Sequence, residues 1–166
     1  MREQKTNYAF IDSQNLHLGI RALGWKLDFA RFRRYLSDKY SITKAFLFIG
    51  YLPGNEPMYK NLRRQGFELV FKNTSSYHGV TKGNVDAEMI LQTLIKIPLY
   101  DQAIIVTGDG DFYCLIEYLI ANSKLEKLII PNINQCSHLF NTLHNETGPY
   151  ELFEHIEYQR TKLEYK

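Results

Sequence analysis

The stretch that most constrains the fold of this chain is Ile104–Phe112, with the sequence IIVTGDGDF. Its first three residues are β-branched and apolar, which is typical of a short strand buried on both faces. A glycine-rich turn follows, and apolar residues then recur from Phe112 to Ile120 at the spacing of a helix that packs on one side. Asp109 and Asp111 therefore lie between a strand and a helix, at the edge where open α/β sheets bind ligands.

These two aspartates have two interpretations. Carboxylate oxygens suit a hard divalent cation. Asp is also a favoured residue at the N-cap of a helix, where its side chain accepts a backbone hydrogen bond. Because one helix has one N-cap, capping accounts for Asp109 or for Asp111 but not for both.

Two earlier segments repeat this arrangement. The apolar run YAFI, residues 8–11, predicts a buried strand that ends at Asp12, and Asp86 lies in the first turn of a predicted helix. In a right-handed α/β unit both positions fall at the same edge of the sheet as Asp109 and Asp111. Four carboxylates at one edge repel each other unless a cation neutralises them. All-oxygen ligation favours Mg²⁺ or Mn²⁺, and such ions suit the hydrolysis of phosphodiesters.

Alternating strands and helices predict an α/β fold of three layers, with a central, mainly parallel sheet between helices. The predicted strands are 8–11, 42–51, 67–71, 104–106 and 125–130, and the predicted helices are 16–23, 28–40, 56–65, 137–145 and 154–162 with two more that begin at Asp86 and Asp111. The strand at 42–51 is the most apolar and is expected to be central. Residues 72–84 predict a functional loop, and residues 1–166 are expected to form a single domain.

Composition excludes two classes of protein. Apolar residues make up 45% of the chain, which excludes a disordered protein. No stretch approaches the roughly 20 apolar residues of a membrane span, and the N-terminus lacks the apolar region of a signal peptide. We therefore expect a cytoplasmic protein without a membrane partner, in which Cys114 and Cys136 are reduced.

The net charge of +2 conceals an asymmetry between the halves of the chain. Residues 1–84 contain 14 Lys and Arg against 6 Asp and Glu, whereas residues 85–166 contain 6 against 12. A basic half beside an acidic half is suited to holding a polyanion against a metal site, although a mixed solvated surface is the alternative. The candidate nucleic-acid contacts are Arg31, Arg34, Arg63 and Arg64, with Lys72, Tyr77 and Lys82 of the predicted loop.

The segments YAFIDSQNL, KGNVDAEMI and IIVTGDGDF, in this order, resemble the motifs of the NYN domain family, and in particular its LabA-like branch, also called DUF88. The resemblance runs from about residue 8 to about residue 153. It implies the PIN-like, Rossmann-like fold of this family and a Mg²⁺- or Mn²⁺-dependent ribonuclease acting on single-stranded RNA. Asp12, Asp86, Asp109 and Asp111 match the acidic positions of the family, Asn15 matches the Asn of the first motif, and Thr107 stands where Ser is frequent.

The chain departs from the family pattern at Gln92, where a further Asp is common. An amide is a weaker ligand than a carboxylate and cannot act as a base, and Glu88 is expected to point elsewhere. A non-catalytic RNA-binding or assembly module is therefore an alternative function. A phosphatase of the haloacid dehalogenase type is a third, but it would need an acid at the position of Gln14. Association between copies of the chain is left open.

Overall fold

The computed structural model describes residues 5–71, 75–77, 80–82, 85–146 and 150–166, including side chains except at 75–77, 80–82, 144–146 and 150. The strands are β1 (Asn7–Asp12), β2 (Ile42–Ile49), β3 (Phe67–Phe71), β4 (Ser75–Tyr77), β5 (Val80–Lys82), β6 (Ala103–Val106), β7 (Leu125–Ile130) and β8 (Phe153–His155). The α-helices are α1 (Ser13–Ala22), α2 (Phe29–Tyr40), α3 (Glu56–Arg64), α4 (Val85–Ile95), α5 (Tyr113–Ala121), α6 (Leu139–Glu146) and α7 (Arg160–Leu163).

Six strands form the central sheet in the order β3-β2-β1-β6-β7-β8, and every neighbouring pair is parallel. The predicted α/β class is therefore confirmed. The chain builds outward from β1 to β3 on one side and from β6 to β8 on the other. The direction of building changes between β1 and β6, and such a switch point leaves a crevice at the carboxyl ends of the strands.

Side chains of the central strands alternate between two apolar cores. In β1, Ala9 and Ile11 face the core that contains residues of α1, α2 and α3, whereas Tyr8 and Phe10 face the core that contains residues of α4, α5 and α6. All six residues of β1 and all four of β6 are buried, as the apolar runs predict for strands covered on both faces. The three-layer arrangement follows from these two cores.

Three sequence-based expectations require correction. The apolar strand β2 is interior but not central, because β1 and β6 occupy the middle of the sheet. The predicted loop at 72–84 contains the antiparallel hairpin β4-β5. The predicted helix 154–162 is wrong, because Phe153–His155 pairs with β7 as an edge strand and only a 3-10 turn and the short α7 follow.

Two further observations concern the helices. The predicted helix at Asp111 begins instead as a 3-10 turn, Gly110–Phe112, which leads into α5. No helix in the described part of the chain combines the length and the apolar character that crossing a membrane requires.

Candidate metal centre in an acidic cleft

A cleft of about 400 Å³ opens at the carboxyl edge of the sheet, at the switch point between β1 and β6. Asp12 ends β1, Asp109 follows β6, and Asp86 lies in the first turn of α4. The residues that line the cleft are Asp12, Gln14, Asn15, Leu18, Phe48, Gly50, Val85, Asp86, Asp109 and Gln135. Three of the four aspartates that the sequence places at one edge therefore line one cleft.

Among the described residues, the carboxylates of Asp86, Asp109 and Asp111 form a close acidic group. One oxygen from each lies within 4.8 Å of the others. Two ligands of one ion, each about 2.0–2.6 Å from it, can be no more than roughly 5.2 Å apart. The spacing of the three oxygens therefore fits a shared divalent cation. Asp86 and Asp109 are partly buried, whereas Asp111 is exposed.

Asp12 lies beside this group and is buried. Its Oδ1 accepts a hydrogen bond from the Asn15 amide at 3.0 Å, and its Oδ2 accepts one from the Thr107 hydroxyl at 3.2 Å. Burial raises the pKa of Asp12 and the nearby Asp109 carboxylate adds to this, whereas the two hydrogen bonds oppose it. The net effect is a pKa above the ordinary value, so Asp12 is a stronger base than an exposed aspartate.

Hydrogen bonds tie the turn after β6 to β1 and α1. The Asp109 amide donates to the Thr107 hydroxyl oxygen at 3.2 Å, and the Gly108 amide donates to Asn15 Oδ1 at 2.8 Å. Asp12 and Asp109 are thus held in fixed positions through Thr107 and Asn15. Thr107 and Asn15 are the two residues that the sequence indicates as supporting the site, and these hydrogen bonds are their contacts with it.

Capping is a second role of two of the aspartates. Asp12 caps α1, and Asp109 caps the 3-10 turn by accepting a hydrogen bond from the Asp111 amide at 3.0 Å. A carboxylate has about four acceptor sites, so one or two hydrogen bonds leave it free to bind a cation as well. The sequence offered capping and metal binding as two interpretations of these aspartates, and one carboxylate can serve both roles.

Sequence reasoning missed the part that the segment after β7 plays in the cleft. Gln135 lines the cleft, and the Ser137 amide donates to the Gly108 carbonyl at 2.8 Å. A Cβ at Gly110 would lie 2.4 Å from Ser137 Oγ, so the turn packs closely against this segment. The available signal was the position of residues 131–137 after a parallel strand, at the same edge as the aspartates.

Gln92 does not line the cleft. Its side-chain amide donates to Glu88 Oε1 at 2.9 Å, one turn earlier on α4. Glu88 lies outside the group formed by Asp86, Asp109 and Asp111 among the described residues, as expected from its position on the helix. The amide at position 92 is therefore used within the helix.

The candidate nucleic-acid contacts lie outside the described cleft lining. Arg31 and Arg34 are exposed on α2, and Arg63 and Arg64 are exposed on α3. Arg31 forms an ion pair with Asp28 at 3.5 Å. Lys72 lies outside the described residues, and Tyr77 and Lys82 belong to β4 and β5 without described side chains.

An acidic cleft at the switch point of a parallel sheet fits a nuclease-like α/β domain. The chain belongs to the NYN domain family, whose model matches residues 8–141. It is 26% identical over 123 residues to the low amplitude and bright protein LabA of Synechococcus elongatus, which supports the LabA-like branch. The match covers 68% of this chain and 66% of LabA, so the chain spans slightly less than two thirds of that relative.

A solved structure has the same fold. The crystal structure of VPA0982, a protein of unknown function from Vibrio parahaemolyticus, superposes with a TM-score of 0.70. The alignment covers 94% of this chain and 96% of that chain at 24% identity. Similarity at this level supports the fold alone.

Proposed function

We propose that this protein is a metal-dependent ribonuclease that hydrolyses phosphodiester bonds of single-stranded RNA in the acidic cleft. The observation that carries the proposal is the approach of the Asp86, Asp109 and Asp111 carboxylates to within 4.8 Å of one another. Asp12 adds a fourth carboxylate beside them. Such a concentration of negative charge disfavours a bare phosphate, so a cation must be part of the site for a nucleic acid to enter.

In this proposal, Asp86, Asp109 and Asp111 would hold Mg²⁺ or Mn²⁺, with Asp12 of the same cleft as a fourth candidate ligand. Such an ion would supply Lewis-acid polarisation of the phosphoryl group and activation of water. Asp12 lines the same cleft, so its carboxylate would accept a proton from the attacking water. Thr107 and Asn15 are positioning residues, because they fix Asp12 and the turn that carries Asp109.

The substrate class is proposed from charge and from family membership. The exposed Arg31, Arg34, Arg63 and Arg64 would contact phosphates without reading sequence. Lys72, Tyr77 and Lys82 remain candidate contacts from the segment that precedes α4. The proposal also includes a cytoplasmic location, a single domain over residues 1–166 and association between copies of the chain.

The test is cleavage of a labelled single-stranded RNA with Mg²⁺, Mn²⁺ or EDTA. We expect cleavage with either metal, none with EDTA, and a loss of roughly 100- to 1,000-fold in Asp109→Asn, as for other transition-state stabilising groups. Asp38→Asn, an exposed aspartate on α2, is the matched control and should cleave normally. Cleavage that survives EDTA, or that Asp109→Asn retains in full, would contradict the proposal.

A non-catalytic RNA-binding module is the second candidate function. Gln92 favours it, because the family often has a carboxylate there and this chain has an amide that bonds to Glu88. Tight RNA binding by the natural protein, with no cleavage under any metal, would select this second function.

A further inference from the structure

The segment after β2 leads directly from the acidic cleft to an exposed aromatic ring. Phe48 and Gly50 line the cleft, and Tyr51 is the next residue, with 44% of its surface exposed. A Cβ at Gly50 would meet no heavy atom within 4 Å outside its chain neighbours, so there is open space beside Gly50. We propose that Tyr51 forms a stacking site for an unpaired nucleobase of an RNA strand that enters the cleft. This inference rests on the proposed function.

Neighbouring aromatic rings hold Tyr51 in place. Its ring centroid lies 5.7 Å from that of Tyr59, with 30° between the planes, and 5.5 Å from that of Phe71, with 88° between the planes. Tyr59 is buried, so its contact covers the inner side of the Tyr51 ring. Because 44% of Tyr51 is exposed, solvent reaches part of the remainder of this side chain. We call Tyr51, Tyr59 and Phe71 the Tyr51 platform.

Hydrogen bonds fix both the ring and its backbone. The Tyr51 hydroxyl donates to Glu56 Oε1 at 2.7 Å. The Leu52 amide donates to the Tyr59 hydroxyl oxygen at 2.9 Å, and that hydroxyl donates to the Gly50 carbonyl at 3.3 Å. A ring that is already immobilised loses little conformational entropy when a base stacks on it, which favours binding.

The same surface carries cations that can contact phosphates. The Arg63 guanidinium carbon lies 5.6 Å from the Phe71 ring centroid, and both Arg63 and Arg64 are exposed on α3. Single-strand binding surfaces combine stacking rings with cations that follow the backbone. The Tyr51 platform, with α3 beside it, has both components.

Stacking also determines which ligand this site accepts. Every nucleobase has a π face, so one stacking ring accepts all bases and selects little sequence. A base within a duplex already stacks on its neighbours and cannot reach the ring without being unpaired. The site therefore selects single-stranded over double-stranded RNA.

The experiment separates base stacking from phosphate contacts. Affinity is measured with Ca²⁺ in place of Mg²⁺ or Mn²⁺, so that the acidic cleft holds a cation, and on ligands checked to be intact after binding. The ligands are a short oligoadenylate and a chain of abasic spacers with the same number of phosphates. Tyr51→Leu should bind oligoadenylate roughly 5- to 150-fold more weakly, the effect of losing one base stack. Its affinity for the abasic chain should not change. Tyr51→Phe should retain affinity for both ligands, and Tyr158→Ala, which removes an exposed tyrosine elsewhere, should behave like the natural protein.

Each outcome has a distinct consequence. If Tyr51→Leu binds oligoadenylate as well as the natural protein does, the stacking site is wrong, and the cleavage assay judges the ribonuclease proposal separately. Should Tyr51→Leu fail to fold, Tyr51→Trp replaces it, and its larger ring should bind oligoadenylate at least as tightly as tyrosine; weaker binding overturns the inference. Binding without cleavage refutes the ribonuclease alone, and absence of RNA binding by the natural protein overturns both proposals.

Discussion

At the scale of single residues, the cleft is a set of carboxylates brought together against their mutual repulsion. Burial is the main cause of the raised pKa of Asp12, and the Asp109 carboxylate raises it further, which is the electrostatic sign of that repulsion. Backbone hydrogen bonds to Asp12 and Asp109 relieve part of it. A divalent cation would relieve the rest, so the folded protein should be measurably more stable with metal than without it.

We predict that Mn²⁺ raises the melting temperature of the natural protein. At about 100 times its dissociation constant, a ligand that binds only the folded state stabilises by about 2.7 kcal/mol, or roughly 5–11 °C for a chain of this size. Asp109→Asn should lose this response and be slightly more stable than the natural protein in EDTA, because one repulsive charge is removed. Asp38→Asn should respond as the natural protein does. Melting curves of the three proteins with and without Mn²⁺ decide the question. A melting temperature of the natural protein that Mn²⁺ does not change would contradict the metal site.

At the scale of elements, the sequence predicts strands buried on both faces better than strands at the edge of the sheet. Residues 8–11 and 104–106 are continuous apolar runs, and both lie within the central strands β1 and β6. Residues 153–155, FEH, have no such pattern, and β8 depends on contacts far away in sequence. Glu154 accepts hydrogen bonds from Tyr35, Lys39 and Tyr40 of α2, more than 110 residues earlier. No local sequence pattern predicts such contacts.

The candidate site shows the same division. Asp12, Asp86, Asp109 and Asp111 are found from strand ends and helix starts, since the topology of a parallel sheet gathers these positions. The Tyr51 platform was not found, because it needs β2, α3 and β3 to bring Tyr51, Tyr59 and Phe71 together. Sequence alone gives the edge of the sheet but not the side chains that meet beside it.

The contact between β8 and α2 predicts an acid-dependent stability. Burial alone would raise the pKa of Glu154, but hydrogen bonds from Lys39, Tyr35 and Tyr40 outweigh it and lower the pKa below the ordinary value of 4.5. A carboxyl with a lowered pKa in the folded state stabilises the fold at pH values above 4.5, and this stabilisation is lost as the pH falls through the folded-state pKa.

Glu154→Gln should therefore lower the free energy of unfolding at pH 7 by about 1–3 kcal/mol, because charge-assisted hydrogen bonds are lost at a side chain only 11% exposed. The difference between the variant and the natural protein should shrink as the pH falls below 4.5. Urea unfolding across this pH range measures it, with Glu117→Gln on the exposed side of α5 as control. A difference that stays constant with pH would contradict the assignment.

The outward side of α4 makes a second prediction at this scale. Its exposed residues, Ala87, Leu91, Leu94 and Ile95, are all apolar, with Leu91 51% and Ile95 59% exposed. A contiguous group of exposed apolar side chains on one helix face is characteristic of an interaction surface. Glu88, beside this face, is only partly exposed and bonds to Gln92, so two copies can meet across a two-fold axis with little like-charge repulsion. We therefore expect a second copy of the chain to cover it.

Sedimentation velocity over a concentration series tests this association. The natural protein should form dimers, and Ile95→Glu should shift the equilibrium toward monomers, because each dimer would bury two new charges near the axis. Ile133→Glu, at an apolar residue outside α4 that is 50% exposed against 59% for Ile95, should leave the dimer intact. A natural protein that remains monomeric at all concentrations would refute the interface.

At the scale of the whole molecule, the strand order turns a charge difference along the sequence into a charge difference in space. The strands β3, β2 and β1 belong to residues 1–84, with a net charge of +8, and β6, β7 and β8 belong to residues 85–166, with a net charge of −6. The acidic cleft lies where the two sides meet. An RNA strand should therefore approach from the β3 side, where α3 and the Tyr51 platform lie.

We predict that RNA binding weakens steeply with salt and that α3 accounts for part of the dependence. Each phosphate contact on a single strand contributes about 0.7 to the slope of log K against log salt concentration, because bound counterions are released. Replacing Arg63 and Arg64 together by Gln should lower the slope by roughly 1.4. Replacing Lys5 and Lys124 together by Gln should leave it unchanged, because these residues precede β1 and β7 at the edge of the sheet opposite the cleft. Affinities across a salt series measure the three slopes. Equal slopes would show that α3 does not contact the RNA. An affinity of the natural protein that does not change with salt concentration would refute binding of a polyanion.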